Sequence, residues 1–268
     1  MLIRRGGAFI RGTFKEWRDI MNTQHVINAN GIVKTYGLIP VIRGVSLQVN
    51  RGEIFGLVGP SGSGKSTLLE LLMGIRQADE GDIQMLGMDM KKDARKLHHR
   101  IGFQLQATVL FERIKVLEAL QLFRSYYKKR RDLNDIIAMF NLKQYLNQYV
   151  RSLSDTIQQR VALAIALVND PDIIFLDEPT TGLEDSKAID EMWSIIARLQ
   201  NEGKTFVMTT QSLDEALEHC DRLAFLMNGT LSMSSTSQEL MHKLPSCKQT
   251  LNDMYTHLRV HRRKGESA

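Results

Sequence analysis

The stretch Ile54–Met73, I-F-G-L-V-G-P-S-G-S-G-K-S-T-L-L-E-L-L-M, decides how the rest of the chain folds. Residues 54–58 form a short apolar run that predicts a buried strand, and the leucines after the glycines recur at helical spacing. Gly59, Gly64, Lys65 and Ser66 match the phosphate-loop pattern G-x-x-x-x-G-K-[ST] in the strand–loop–helix context that this pattern requires. The stretch therefore predicts a nucleotide-binding loop.

The chemistry of this loop follows from its residue types. Glycines let consecutive backbone N–H groups turn inward and form a concave site for phosphate oxygens, and the helix N-terminus adds positive potential. Lys65 is expected to reach the outer phosphates, and the Ser66 hydroxyl to join the coordination of Mg²⁺. The predicted nucleotide-binding residues of the loop are Gly59, Pro60, Ser61, Gly62, Ser63, Gly64, Lys65, Ser66 and Thr67.

Composition bounds the remaining possibilities. The chain has 268 residues, 43% of them apolar, enough for one large domain or two small ones. The net charge of +5 lies partly at the two ends and does not indicate a globally basic nucleic-acid surface. The basic ends could contact anionic lipid or nucleic acid, or be solvated tails. The two cysteines, Cys220 and Cys247, are expected to be free thiols in a reducing compartment. No apolar run approaches the roughly 20 residues that span a bilayer.

Near the N-terminus, residues 1–20 lack the apolar region and cleavage site of a secretory signal. Five apolar residues there fit one face of a short amphipathic helix, which could pack on the domain or contact a membrane surface. They are Phe9, Ile10, Phe14, Trp17 and Ile20.

The rest of the chain divides into segments with different hydrophobic patterns. Residues 26–49 alternate apolar and polar side chains, which predicts a small antiparallel sheet. Residues 116–167 contain no glycine and are helical in pattern, which predicts an inserted helical subdomain. Residues 173–176 form an apolar run typical of a central parallel strand covered on both faces. A βαβ series follows, in which Ser212 with Glu215 predicts a helix N-terminus.

Three further side chains are candidates for the chemistry. Ligands of such sheets bind outside the carboxyl ends of the strands, where Asp177 and Glu178 are expected. Asp177 is the natural partner of Mg²⁺, and Glu178 can act as general base on a water that attacks the γ-phosphate; the alternative is that the pair only caps a helix or forms a salt bridge. Tyr36, in a turn before the phosphate loop, could stack on adenine or be structural.

The motif order resembles the ATPase subunit of ATP-binding-cassette (ABC) transporters over residues 26 to about 260. The phosphate loop is followed by Gln106, Leu153-Ser154, Asp177-Glu178-Pro179 and residues 180–183. Within that family the chain is most similar to the subfamily of bacterial drug, antibiotic and peptide exporters, judged by residues 101–106 and 250–258.

This resemblance implies an α/β fold of the P-loop NTPase class: a RecA-like core with an antiparallel β subdomain and an inserted helical subdomain. Expected divisions are a basic N-terminal extension at 1–25, the ATPase domain at 26–235 with its helical subdomain at about 107–168, and C-terminal helices with a basic tail at 236–268. It also implies a head-to-tail dimer that encloses two ATP molecules.

The resemblance further assigns individual roles. Tyr36 would stack on adenine, and Gln106 would contact Mg²⁺ and the attacking water while linking to the membrane subunit. Ser154 would meet the γ-phosphate held by the opposite chain. The chain would act at the cytoplasmic face of the cell membrane, as a peripheral subunit with an integral membrane permease and a second ATPase subunit, and without nucleic acid.

Two positions depart from the family pattern. Asp155 and Thr156 replace the two glycines that usually follow Leu-Ser, so that Asp155 either faces a phosphate or points away and stabilises its helix N-terminus. Gln211 stands where the family generally has a histidine that contacts the γ-phosphate, and glutamine can donate a hydrogen bond but cannot carry charge. We expect slower hydrolysis with binding retained.

The predicted function is therefore ATP hydrolysis that drives export through a separate permease. The alternative is a nucleotide-gated regulatory cassette with weak or vestigial ATPase activity. In a homodimer both ATP sites would contain both departures, whereas a regular second subunit would leave one departure in each site. This difference motivates the hypothesis that a different second ATPase subunit exists.

Overall fold

The computed structural model describes residues 2–5, 8–11, 25–104, 113–183 and 185–237. The strands in this part of the chain are β1 Leu2–Arg5, β2 Ala8–Arg11, β3 His25–Tyr36, β4 Ile39–Asn50, β5 Ile54–Val58, β6 Glu80–Met85, β7 Met88–Asp89, β8 Ile101–Gln104, β9 Ile173–Asp177, β10 Thr205–Thr210, β11 Arg222–Met227 and β12 Thr230–Thr236. The helices are α1 Lys65–Leu72, α2 Met90–His98, α3 Val116–Ser125, α4 Leu133–Met139, α5 Asp155–Ala166, α6 Ser186–Asn201 and α7 Leu213–His219.

A six-stranded sheet with the order β12-β11-β5-β10-β9-β8 forms the centre of the fold. Its strands are parallel except β12, which pairs antiparallel with β11. All five residues of β5 and all five of β9 are buried. Ile54 and Val58 belong to one apolar core and Phe55 and Leu57 to another, so both faces of the sheet are covered. Burial on both faces explains the continuous apolar runs and confirms the predicted buried strands.

The second sheet, with the order β4-β3-β6-β7, is antiparallel, as residues 26–49 predict. It covers the core that contains Phe55 and Leu57. Helix α1 contributes to the same core with the leucines predicted from the helical spacing, namely Leu68, Leu69, Leu71 and Leu72. The helix that follows the phosphate loop is therefore held by both sheets.

Helices dominate the described residues between Arg113 and Val168, where α3, α4, α5 and two 3₁₀ turns, Lys143–Tyr145 and Val150–Ser152, pack into the other core. Helix α5 approaches β8 so closely that a Cβ atom added at Gly102 would lie 1.9 Å from the backbone oxygen of Ala166. Only glycine fits at this contact. None of the helices in the described part of the chain is long and apolar enough to cross a bilayer.

At the N-terminus, the amphipathic-helix prediction is wrong for Phe9 and Ile10. Ala8–Arg11 is a strand that pairs antiparallel with Leu2–Arg5, and Arg5 is opposite Ala8. Two short runs of apolar residues separated by Gly6-Gly7 are a hairpin signal that outweighs the helical spacing. Phe14, Trp17 and Ile20 lie outside the described residues.

Cys220 is a free, buried thiol, as expected, and burial raises its pKa. Cys247 lies outside the described residues. A buried neutral thiol behaves as a small apolar side chain. Cys220 therefore belongs to the core, where it packs with the helices on one face of the parallel sheet.

Replacement of Phe175 by alanine should lower the free energy of unfolding by about 3–5 kcal/mol, because its ring is fully buried in a central strand. Phe103 is the matched control, since it is the register partner of Phe175 on the neighbouring strand and is 42% exposed. Phe103→Ala should cost less than half as much. Urea unfolding measures both values, and equal losses would contradict the assignment of Phe175 to the core.

Candidate nucleotide site

The phosphate loop joins β5 to α1 through two glycines with left-handed backbone, Gly62 at φ 75° and Gly64 at φ 103°. Two glycines of the loop also have no room for a side chain. A Cβ atom at Gly59 would lie 2.4 Å from the backbone oxygen of Leu226, and one at Gly64 would lie 2.9 Å from Cδ1 of Ile42. Gly59 is therefore required mainly by close packing against the backbone, and Gly64 mainly by its left-handed conformation.

The loop is supported from behind by the turn at Asn228-Gly229, between β11 and β12. The Gly229 N–H donates to the Ser63 backbone oxygen at 3.1 Å, and the Gly229 oxygen accepts from the Arg43 N–H at 2.8 Å. A Cβ atom at Gly229 would lie 2.2 Å from the Val41 oxygen. The Ser63 hydroxyl oxygen is buried and has no hydrogen-bond partner in the described part of the chain. This unsatisfied hydroxyl fits a loop built to bind a polar ligand.

Lys65 is 5% exposed, although it carries a charge. Its Nζ donates to the Gly59 oxygen at 2.8 Å and to the Pro60 oxygen at 3.2 Å. The Glu178 Oε1 atom lies 3.4 Å from the same nitrogen. The ammonium group is therefore held within the curve of the loop by two carbonyls and one carboxylate, which are exchangeable for phosphate oxygens.

Asp177 and Glu178 lie at the carboxyl end of β9, 4% and 5% exposed. Glu178 has left-handed backbone, with φ 49°, which is uncommon for a residue other than glycine. Its N–H donates to the backbone oxygen of Thr209 at 3.2 Å and to the Thr209 hydroxyl at 3.0 Å, and that hydroxyl donates to Asp177. These contacts with β10 hold both carboxylates at the edge of the sheet.

Gln211 contacts the carboxylate of Glu178. Its Nε2 donates to Glu178 Oε1 at 2.8 Å, and the Thr181 hydroxyl donates to Glu178 Oε2 at 3.2 Å. The sequence predicts a γ-phosphate contact for Gln211, and its contact with the proposed base is not evident from any pattern. The Glu178 carboxylate is thus in contact with both Lys65 and Gln211, which lie far from it and from each other in the chain.

Tyr36 ends β3 and is 38% exposed. The Lys34 Nζ and the Arg76 Cζ lie 5.7 Å and 5.6 Å from the centre of its ring. Asp79 fixes this strand end, because it accepts hydrogen bonds from Lys34 Nζ and from the Thr35 N–H, both at 2.7 Å. The bond from Lys34, followed by the one from Thr35, holds the pKa of Asp79 below its usual value.

Ser154 is the N-cap residue of α5, but its side chain makes no capping hydrogen bond. Ser154 and the following Asp155 are both exposed, and Asp155 occupies the first helical turn. This position stabilises the helix through its dipole and leaves both side chains accessible to a second molecule. Gln106 lies outside the described residues.

Gln104 is a buried polar residue that the sequence patterns do not single out. It ends β8, is 2% exposed, and its Nε2 donates to Oε1 of Gln159 on α5. The only signal is a polar residue at the end of an apolar strand. The contact joins the parallel sheet to the helix that begins after Ser154.

A divalent cation would find oxygen donors at two predicted positions. Ser66 lies in the first turn of α1 with its side chain exposed, and Asp177 supplies a carboxylate at the sheet edge. Hydroxyl and carboxylate oxygens suit Mg²⁺, which usually takes one or two protein carboxylates and completes its shell with phosphates and water. The donor set therefore fits magnesium.

Comparison with known proteins agrees with these motifs. The pattern of the family described as "ABC transporter" matches residues 42–181. The Nod factor export ATP-binding protein I of Ralstonia nicotianae is 34% identical over 221 residues, which cover 81% of this chain and 68% of that protein. The probable multidrug ABC transporter ATP-binding protein YbhF of Escherichia coli is 36% identical over 220 residues, 80% of this chain and 38% of that protein.

Solved structures give the same result. The dimeric bacterial ABC transporter cassette MJ0796 superposes with a TM-score of 0.72 at 29% identity, over 79% of this chain and 98% of that one. The same cassette is also known as a dimer in a post-hydrolysis state with ADP and Pi. The P-loop NTPase fold expected from the sequence is thereby confirmed. By sequence family and by fold, the chain belongs to the ABC transporter family, as one of its nucleotide-binding ATPase cassettes.

Proposed function

We propose that this cassette hydrolyses ATP to drive export through a separate membrane permease, at the cytoplasmic face of the cell membrane. The observation that carries the proposal is the meeting of Lys65, Glu178 and Gln211, in which Glu178 Oε1 lies 3.4 Å from the lysine nitrogen and 2.8 Å from the glutamine nitrogen. The export role is supported by relatives named for Nod factor export and multidrug transport.

Binding begins with the phosphate loop. Lys65 can exchange its contacts with the Gly59 and Pro60 oxygens for the outer phosphates of ATP, since phosphate oxygens are stronger acceptors for an ammonium group than neutral carbonyls. Ser66 and Asp177, with Gln106, would hold Mg²⁺, which neutralises part of the phosphate charge. The Ser63 hydroxyl of the loop, which has no hydrogen-bond partner in the described part of the chain, is a further donor. Tyr36 would stack on the adenine.

Hydrolysis follows from the position of Glu178. A water oxygen attacks the γ-phosphorus, and the bond from that phosphorus to the bridging oxygen breaks, with the electron pair leaving on ADP. Glu178 accepts the proton of the water. Lys65 and Gln211 both direct a donor toward this carboxylate and hold it in place at the edge of the sheet.

The second ATP-binding half is expected to come from another cassette. Ser154 and Asp155 are exposed at the N-terminus of α5, so they are accessible to a nucleotide held by a partner chain. The known dimer of a related cassette supports this arrangement. A heterodimer with a regular subunit would leave the Asp155 and Gln211 departures in different ATP sites. An active transporter in which this is the only ATPase chain would contradict the heterodimer.

The regulatory alternative receives no support from the geometry. A cassette that only binds nucleotide needs the phosphate loop but not a general base. Here the Glu178 carboxylate lies next to Lys65 and accepts hydrogen bonds from Gln211 and Thr181, while the Glu178 backbone N–H donates to the Thr209 hydroxyl. We therefore assign hydrolysis to the site.

ATP-driven accumulation of a substrate in inverted membrane vesicles measures the export role directly.

Glu178→Gln should reduce Mg²⁺-dependent turnover by roughly 10²- to 10⁴-fold, because the amide cannot accept the proton of water. The affinity for ATP should persist. Lys65→Ala, in contrast, should lose ATP binding itself, since it removes the cation that faces the phosphates. Steady-state hydrolysis and ATP titration of the chain in complex with its membrane subunit separate the two effects. Unchanged turnover in Glu178→Gln would falsify the assignment of the base.

Tyr36→Ala should weaken ATP binding roughly 5- to 150-fold, as expected from the 1–3 kcal/mol that base–aromatic stacking contributes. Tyr36→Phe retains the ring and should bind normally. Tyr149 is an exposed tyrosine of another region, 47% exposed, and Tyr149→Ala serves as the control. Titration with ATP and with inorganic triphosphate tests the origin of the effect, because triphosphate binding should not depend on Tyr36.

Gln211→His should raise the turnover number by several-fold, because an imidazolium can add a charge-assisted hydrogen bond that the neutral amide cannot supply. ATP affinity should change little. The turnover numbers of the natural chain and of the variant are measured at pH 6 and at pH 8. A gain confined to the lower pH is expected, since histidine loses its charge near pH 6.5; turnover below that of the natural chain at both pH values would show that glutamine is the better residue here.

A further inference from the structure

Glu215 contacts two loops of the site without reaching the nucleotide-binding residues themselves. It lies on α7, half-buried, and its Oε2 accepts a hydrogen bond from the Thr210 hydroxyl at 2.5 Å. Its Oε1 accepts a hydrogen bond from the Thr180 hydroxyl. One carboxylate therefore holds two hydroxyls from different parts of the chain.

These two threonines flank the reactive residues. Thr180 follows Glu178 by two positions, in the loop after β9, and Thr210 immediately precedes Gln211, at the end of β10. Glu178 and Gln211 contact each other directly at 2.8 Å. The two loops are thus joined twice, once at the site and once behind it through Glu215.

The Glu215 carboxylate does not form the capping bond of its helix. The pattern of Ser212 with Glu215 predicts that this carboxylate accepts from the Ser212 N–H, as in a capping box. In the structure the Ser212 N–H donates instead to the Thr210 hydroxyl at 3.0 Å, while the Ser212 hydroxyl accepts from the Glu215 N–H at 3.2 Å. The helix N-terminus is satisfied by Ser212 and Thr210, which leaves the carboxylate for the two loops.

We propose that Glu215 is a positioning residue for ATP hydrolysis, which fixes the loop of Glu178 relative to the loop of Gln211. A carboxylate with both oxygens engaged by hydroxyls of two loops restricts their relative movement more than either bond alone. Displacements of about 1 Å in an active site can cost 10²-fold in rate. The inference rests on the proposed function, since it concerns the geometry of the same hydrolysis.

Glu215→Ala should lower kcat for ATP roughly 10- to 100-fold and leave KM and the affinity for ATP nearly unchanged. Glu218 is the matched control, because it lies on the same helix with its side chain 75% exposed; Glu218→Ala should retain the natural kcat. Glu215→Gln keeps one oxygen acceptor and should have a kcat between that of Glu215→Ala and that of the natural chain. The enzyme used is the chain in complex with its membrane subunit, with thermal unfolding recorded for every variant.

Thr180→Val separates positioning from helix stability, because it removes one bond to Glu215 without touching α7. It should lower kcat by itself, and the Thr180→Val, Glu215→Ala double variant should be no slower than Glu215→Ala alone. A natural kcat in Glu215→Ala, a change confined to KM, or fully multiplicative losses in the double variant would each overturn the inference.

Failure of the proposed function gives a different result, namely no turnover in the natural complex. In that case crystal structures of the natural chain and of Glu215→Ala decide the inference. Separation of Gln211 Nε2 from Glu178 Oε1 in the variant is expected, and retention of the 2.8 Å contact would overturn it.

Discussion

The burial of one ammonium group constrains the whole site. Lys65 is 5% exposed, and a charge removed from water is stable only where fixed groups replace its hydration. The Gly59 and Pro60 carbonyls supply two of these groups because the loop curves around the lysine, and Glu178 supplies the third from another loop. The requirement to compensate this charge thus links the phosphate loop to the residue that follows β9.

Sheet topology brings the remaining parts to the same place. Strands β5, β10 and β9 are neighbours in that order and run parallel, so the loops that carry Lys65, Gln211 and Glu178 leave the same edge side by side. The three groups are already adjacent at this edge, so no large movement of the chain is needed to bring them together. Buried strands form the rigid base, and the proposed catalytic residues lie just beyond the strand ends.

Much of the fold and part of the site could be predicted from the sequence, because local patterns carry them. The phosphate loop is specified by glycines whose conformation and steric limits are local, and the buried strands by apolar runs. Contacts between side chains far apart in the chain carry no such pattern, so those of Gln211 with Glu178 and of Gln104 with Gln159 were not predictable. At Glu215 the capping pattern identified the right helix but the wrong partner, because the Thr210 hydroxyl competes for the Ser212 N–H.

The support behind the phosphate loop has a consequence for how the molecule assembles. The Ser63 oxygen is held by Gly229, which in turn binds Arg43, so the loop conformation depends on residues from both sheets and from distant parts of the chain. Contacts between residues so far apart in the chain slow folding, because long loops must close before the contacts can form. Nucleotide bound at this loop would stabilise the folded state as a whole. The concentration of ATP would then affect the lifetime of the folded protein, in addition to supplying the substrate for hydrolysis.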